Sequence, residues 1–108
     1  MEKYNKYNDF IASNPKENGF GMFTEEANNK VKTMLEEIVY TIFVEDTLTR
    51  EKFIPYVRKT MKQLYNSDSK NLAEIYDTEV EETIVLYLNK ALTKAGRRFK
   101  ITRWNIQQ

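Results

Sequence analysis

The chain has 108 residues, of which 41% are apolar and 31% charged, a balance typical of one globular domain. It contains no histidine and no cysteine, which excludes imidazole and thiolate zinc sites, Ser-His and Cys-His nucleophiles, and disulfides. Three glycines and two prolines are too few for the many tight turns of a sheet-rich fold. We therefore expect an all-α protein that is not an enzyme.

The distribution of apolar and charged residues bears on location and partners. No stretch is apolar over the roughly 18 residues that cross a bilayer, and MEKYNKYNDF lacks the apolar core of a signal peptide, so we expect a cytoplasmic protein without membrane contact. Residues 83–108 hold six of the 17 Lys and Arg but none of the 16 Asp and Glu. This basic end indicates an acidic partner, although cations also stabilise helix C-termini.

Apolar residues at three- and four-residue spacing predict the first two helices. In EKYNKYNDFIAS they form one face of a short N-terminal helix. A loop follows at NPKENGFGMF, which contains one proline and two glycines. Thr24 then caps a long helix over residues 25–45, with acids in its first turn. Because VYTIFVE at the end of this helix is rich in β-branched residues, a strand there is the competing prediction.

A third helix is predicted in DTLTREKFIPYVRKTMKQLYN, and Pro55 leaves two alternatives for its start. If Thr49 is the N-cap, the proline lies beyond the first turn and distorts the helix; if Ile54 is the N-cap, the proline is a favourable first residue. We favour a helix from about Arg50 with a local distortion. After a break at NSDSKN, the apolar residues within 72–76 predict one or two further helical turns.

The last long helix is marked at both ends in DTEVEETIVLYLNKALTKAG. Thr78 and Glu81 have capping-box spacing, lysines occupy the last turn, and Gly96 suits the C-terminal stop. These signals predict a helix over residues 79–95. The predicted architecture is one domain over residues 1–108, a compact bundle of three long helices plus a short N-terminal helix, followed by an extended basic C-terminal segment.

The basic end after Gly96, RRFKITRWNI, is expected to be extended or a short strand, and it allows three interpretations. Its apolar side chains are Phe99, Ile101, Trp104 and Ile106, and its cations are Arg97, Arg98, Lys100 and Arg103. In the first interpretation the apolar side chains anchor the terminus and the cations stay solvated. In the second, the cations neutralise phosphates while Trp104 or Phe99 stacks on a base. In the third, arginine and aromatic side chains anchor a protein partner. A homodimer that buries Trp104 between its copies is a separate, purely architectural option.

Two further patterns have simple structural explanations. NGFGMF has the first glycine spacing of a dinucleotide fingerprint, but no strand precedes it and Thr24 stands where the third glycine belongs. It is either a turn folded back on the core or an apolar binding loop with the candidate contacts Phe20, Met22 and Phe23. Adjacent acids such as Glu36 and Glu37 diverge by about 100° on a helix, so we expect neither a metal site nor a cofactor.

The order LTREKFIPYVRKTMKQLY, a polar break, then YDTEVEETIVLYLNKAL resembles a family of small helical bacterial domains of unknown function, in which an acidic Asp-Thr-Glu turn opens the last amphipathic helix. The resemblance covers about residues 48–95; it implies a helical fold and carries over no active-site residues. By analogy with small helical immunity proteins and phage inhibitors, we expect a non-enzymatic intracellular protein that binds a protein partner, as an inhibitor or immunity-type factor. The alternative is a small nucleic-acid-binding protein that uses the basic and aromatic C-terminal end.

Overall fold

Helices dominate the computed structural model, which describes residues 2–13, 25–67 and 78–106. In chain order they are α1 (Glu2–Ser13), α2 (Glu25–Val44), α3 (Arg50–Ser67), α4 (Thr78–Lys94) and α5 (Arg103–Ile106). The described residues contain no strand, which confirms the all-α prediction for them. The strand considered at VYTIFVE is wrong, because that stretch continues α2 to Val44. The helical turns predicted within 72–76 lie outside the described residues.

The central helix is α2, which packs against α1, α3 and α4. Its buried side chains recur at three- and four-residue steps, as in Val31, Leu35, Ile38 and Ile42, because that spacing keeps them on one face. The helices α3 and α4 add stripes of the same kind to a shared apolar core. Each fully buried leucine or isoleucine in this core stabilises the fold by about 2 kcal/mol relative to an exposed one.

An aromatic contact and an ion pair hold α1 against its neighbours. The buried ring of Phe10 lies with its centroid 5.5 Å from that of Phe43 in α2 and 5.4 Å from that of Tyr87 in α4. Near the start of α1, the Lys3 ammonium pairs with the Asp46 carboxylate just beyond the end of α2. The hydrogen bond from Lys3 lowers the pKa of Asp46 below its ordinary value. The helix α1 is thus attached to α2 and α4 through Phe10, and to the residues just after α2 through Lys3.

Three tyrosines form a cluster between α1 and α2. The Tyr40 ring lies 5.3 Å from Tyr7, edge to face, and 5.9 Å from Tyr4. A hydrogen bond with Tyr4, with desolvation as a second cause, raises the pKa of Tyr40. Burial, and to a smaller extent the charge of Glu36, raises the pKa of Tyr7. Ionisation of Tyr7 or Tyr40 therefore opposes the folded packing.

The third helix begins with Thr49 as its N-cap, which settles the choice between Thr49 and Ile54 in favour of Thr49. The Lys52 N–H donates to Thr49 Oγ1 at 3.3 Å, and the Phe53 N–H donates to the Thr49 carbonyl at 2.9 Å. Pro55 lies inside α3, which continues through it to Ser67. Since the proline has no N–H, one intrahelical hydrogen bond is missing at this exposed position.

The fourth helix ends in a Schellman motif, and the glycine stop predicted from the sequence is confirmed. Gly96 has φ of 79°, in the left-handed region that glycine adopts without a Cβ penalty. The Arg97 N–H donates to the Leu92 carbonyl at 2.9 Å and the Gly96 N–H to the Thr93 carbonyl at 3.1 Å. This turn reverses the chain, so that the residues after Gly96 return along α4.

We expect Gly96→Ala to lower the free energy of unfolding by about 1 kcal/mol, because alanine is strained in the left-handed region. An added Cβ would meet no atom within 4 Å, so the loss comes from the backbone and not from a clash. Gly96→Asn is the matched control and should lose less, since asparagine tolerates this conformation better. Urea denaturation measures both, and equal losses would contradict the explanation.

We also expect the stability of the fold to fall at high pH because of the tyrosine cluster. The pKa values of Tyr7 and Tyr40 are raised in the folded state. Their contribution is therefore complete below the ordinary tyrosine pKa of about 10 and is lost as pH rises through the folded-state values. Tyr40→Phe should reduce the loss between about pH 9 and about pH 11, measured by urea denaturation alongside ultraviolet absorbance of the tyrosinates. An unchanged loss in this variant would show that other groups cause it.

Candidate functional site

Residues 97–106, here called the C-terminal segment, contain the predicted contact residues that the structure describes. The segment runs back along α4, since Ile101 contacts Asn89 and Arg103 lies near Glu81. Residues 97–102 are neither helix nor strand, so the short-strand alternative is wrong. The helical turn α5 then ends the segment and packs against α3 and α4.

Asn89 fixes the middle of the C-terminal segment to α4 through two hydrogen bonds. Its Nδ2 donates to the Ile101 carbonyl at 2.8 Å, and its Oδ1 accepts from the Ile101 N–H at 2.9 Å. The side-chain amide thus satisfies both backbone polar groups of a residue whose side chain is buried. Nothing in the local sequence marks Asn89 for this role, because an asparagine at the edge of an apolar stripe has no distinctive pattern.

The turn α5 is held at both of its ends. At the start, Asn105 Oδ1 accepts from the Thr102 N–H at 2.7 Å and from the Thr102 hydroxyl at 3.2 Å, as in a capping box with asparagine in the third position. At the end, Arg58 of α3 donates from Nε to the Asn105 carbonyl at 2.7 Å and from Nη2 to the Trp104 carbonyl at 3.4 Å. These carbonyls have no partner within so short a helix, and the arginine supplies one.

Arg97 connects the start of the C-terminal segment to the end of α2. Its Nε donates to the Ile42 carbonyl at 3.0 Å, and Nη2 donates to the Glu45 carbonyl. The last carbonyls of a helix lack intrahelical partners, so a cation there both satisfies them and complements the helix dipole. Arg97 is therefore half-buried and hydrogen-bonded, not solvated as the anchoring interpretation expected.

Arg103 lies between a buried acid and an exposed ring. Its Nε is 3.9 Å from Glu81 Oε1, and the two side chains are 24% and 3% exposed. Its Cζ lies 5.2 Å from the centroid of the Trp104 ring, within the range of a cation–π contact. Glu81, for which the spacing from Thr78 predicts a capping role, is buried beside Arg103, where the opposite charge offsets the cost of burial.

The apolar residues of the C-terminal segment divide into anchors and one exposed ring. Ile101 and Ile106 are buried, and the Phe99 ring lies 5.7 Å from Phe53, as the anchoring interpretation predicts. Trp104 is not an anchor, because 69% of its surface is exposed. The reason is the helical turn: two residues on a helix differ by about 200°, so burial of Ile106 directs Trp104 outward.

Exposure alternates along the segment before α5 and creates a single exposed row. We call the exposed residues Arg98, Lys100, Thr102 and Trp104 the outward row. Leu86 of α4 is 71% exposed and precedes Asn89 by three residues. Trp104, of which 69% is exposed, supplies the apolar part of the outward row. The candidate site therefore combines two cations with exposed apolar surface.

Other predicted features lie elsewhere or find no counterpart in the described residues. Phe20, Met22 and Phe23 of the NGFGMF loop lie outside residues 2–13, 25–67 and 78–106. Within those ranges no three acidic side chains come together in a group that could bind a metal ion. Of the helices in those ranges, none combines the length and apolar character needed to cross a membrane.

Comparisons with protein-family models, curated proteins and solved structures found no match.

We expect Asn89→Ala to loosen the C-terminal segment and to cost about 2 kcal/mol of stability, because the Ile101 peptide groups lose both partners. Trypsin should then cleave after Arg98 and Lys100 faster than in the wild type. The control is Lys90→Ala, which changes the adjacent exposed residue and should leave the cleavage rate unchanged. Equal cleavage of the wild type and Asn89→Ala would mean that other contacts suffice to hold the segment.

Proposed function

We propose that this chain is a non-enzymatic protein that binds a protein partner through its C-terminal segment, in the manner of an inhibitor or immunity-type factor that occupies a partner's surface. The supporting observation is Trp104, whose ring is 69% exposed on a turn held by Arg58 and Asn105. Tryptophan and arginine are the side chains most enriched at binding hot spots. The absence of histidine and cysteine from the sequence favours binding over catalysis.

The energetics of the exposed ring support a binding role. Transfer of the exposed part of an indole into a protein pocket removes on the order of 150 Å² from water, a gain of about 3–4 kcal/mol. The backbone of Trp104 is already fixed by the hydrogen bond from Arg58. Because little conformational freedom remains to be lost there, more of the gain contributes to affinity.

The positions of the cations favour a protein over a nucleic acid as the partner. Arg97 is bonded to carbonyls of α2, and Arg103 lies beside the buried Glu81. Within the C-terminal segment this leaves Arg98 and Lys100 as the exposed cations. Two phosphate contacts fall well short of the roughly 6–10 that give duplex-binding proteins their affinity and steep salt dependence.

The proposal predicts that Trp104→Ala folds normally and loses its partner. Wild type and variant are immobilised and exposed to a lysate of the source organism, and the retained proteins are quantified by mass spectrometry. The amount of a true partner retained by the variant should be at least about tenfold lower than on the wild type. The reason is that a loss of about 1.4 kcal/mol or more of binding free energy reduces affinity by that factor. Tyr4→Ala, which removes another exposed aromatic side chain from α1, is the control and should retain the partner.

Two outcomes would overturn the proposal. One is equal retention of every captured protein by the wild type and Trp104→Ala. The other is salt-sensitive binding of short DNA or RNA that disappears when Arg98 and Lys100 are both replaced by glutamate, since this would identify a nucleic-acid site. Thermal unfolding of each variant confirms that a loss of binding is not a loss of fold.

A further inference from the structure

We infer that the partner presents an apolar surface bordered by aspartate or glutamate side chains, with the apolar part receiving Trp104 and the carboxylates facing the cations of the outward row. This inference rests on the proposed function and extends it by naming the chemistry of the partner. It follows from the charge of the outward row, from the exposure of the Trp104 ring beside Arg103, and from the spacing of the cations.

The outward row carries positive charge that the described part of the chain does not neutralise. Every charged residue of the C-terminal segment is basic. Burial of Ile101 and packing of Phe99 direct the alternate residues, Arg98 and Lys100, to solvent. Among the described residues no carboxylate lies within ion-pair distance of either cation. Facing charges of opposite sign accelerate association and select the partner, so carboxylates are the expected counterpart.

The contact between Arg103 and Trp104 is the second observation, and it concerns the surface that the indole offers to a partner. The Arg103 Cζ lies over the Trp104 ring, 5.2 Å from the ring centroid. With this contact in place, 69% of Trp104 is still exposed and available to an apolar surface of a partner. Because Arg103 already lies beside Glu81, the acidic border of the partner is assigned to the two exposed cations, Arg98 and Lys100.

The spacing of the cations restricts how the carboxylates are arranged. The Cα atoms of Arg98 and Lys100 are two residues apart and so at most about 7 Å from each other. Glutamates at positions i and i+4 of a helix have Cβ atoms about 5–6 Å apart on one face, and can also flank an apolar side chain. An acidic amphipathic helix is therefore a suitable probe of the inferred chemistry.

The test uses a synthetic helical peptide with a leucine face bordered by i, i+4 glutamates, together with analogues in which glutamine or lysine replaces every glutamate. Trp104 is the only tryptophan, so its emission reports its own burial directly. We expect a saturable blue shift with the glutamate peptide, an affinity at least about tenfold higher than for either analogue at low salt, and a smaller difference at high salt.

Paired charge reversals separate a local effect from one of net charge. Arg98→Glu with Lys100→Glu should abolish the preference for the glutamate peptide. Lys90→Glu with Lys94→Glu makes the same change in net charge at exposed positions of α4 outside the outward row, and should keep most of the preference. Equal affinity for the glutamate and glutamine peptides, or no saturable binding of any peptide, would overturn the inference.

The inference and the proposed function can fail separately. A protein captured from lysate in a Trp104-dependent manner, but retained equally after reversal of Arg98 and Lys100, would leave the proposed function standing and refute the acidic border. Absence of any Trp104-dependent protein would refute the proposed function itself. A blue shift with short single-stranded DNA and not with the glutamate peptide would refute the inference and identify a nucleic-acid ligand.

Discussion

The hydrogen bonds between the Asn89 amide and the backbone of Ile101 hold an irregular stretch of chain against the side of α4. A stretch without regular structure has no internal partners for its peptide groups, and burying it without such partners would be costly. Because Asn89 supplies hydrogen bonds to the backbone N–H and carbonyl of Ile101, the Ile101 side chain can be buried in the core. Its burial fixes the direction in which the neighbouring side chains point. The inward position of Phe99 and the outward position of Lys100 both follow from that constraint.

Two arginine side chains likewise donate hydrogen bonds to backbone carbonyls, here at the C-terminal ends of helices. Arg97 donates to the last carbonyls of α2, and Arg58 donates to the carbonyls of α5. In each case a charged side chain from one helix or segment supplies the hydrogen bonds that another helix lacks at its C-terminus. The cations of the basic end therefore differ in their surroundings. Arg97 links the C-terminal segment to the end of α2, whereas Arg98 and Lys100 are exposed at the surface.

The features predicted correctly from the sequence depend on neighbours within about one helical turn. The core stripe of α2, the Thr49 cap and the Gly96 stop are of this kind, because periodicity and capping are local patterns. The contacts of Arg97 and Arg58 join residues 46 to 55 positions apart, and no local pattern reveals them. The exposure of Trp104 also has a local signal in the sequence. Thr102 and Asn105 have the spacing of an N-cap and its partner, which indicates a helical turn at this point and not an extended chain.

The distance along the chain between the two partners of each contact predicts the order in which the C-terminal segment meets the helices during folding. Asn89 and Ile101 are only 12 residues apart and are joined by the tight turn at Gly96, so closing this loop costs little entropy. The contacts with Arg58 and with Ile42 close loops of 46 to 55 residues, which cost more. On loop entropy alone, we expect the irregular C-terminal segment to meet α4 before it meets α2 and α3. Refolding of the C-terminal segment should therefore depend first on the formation of α4.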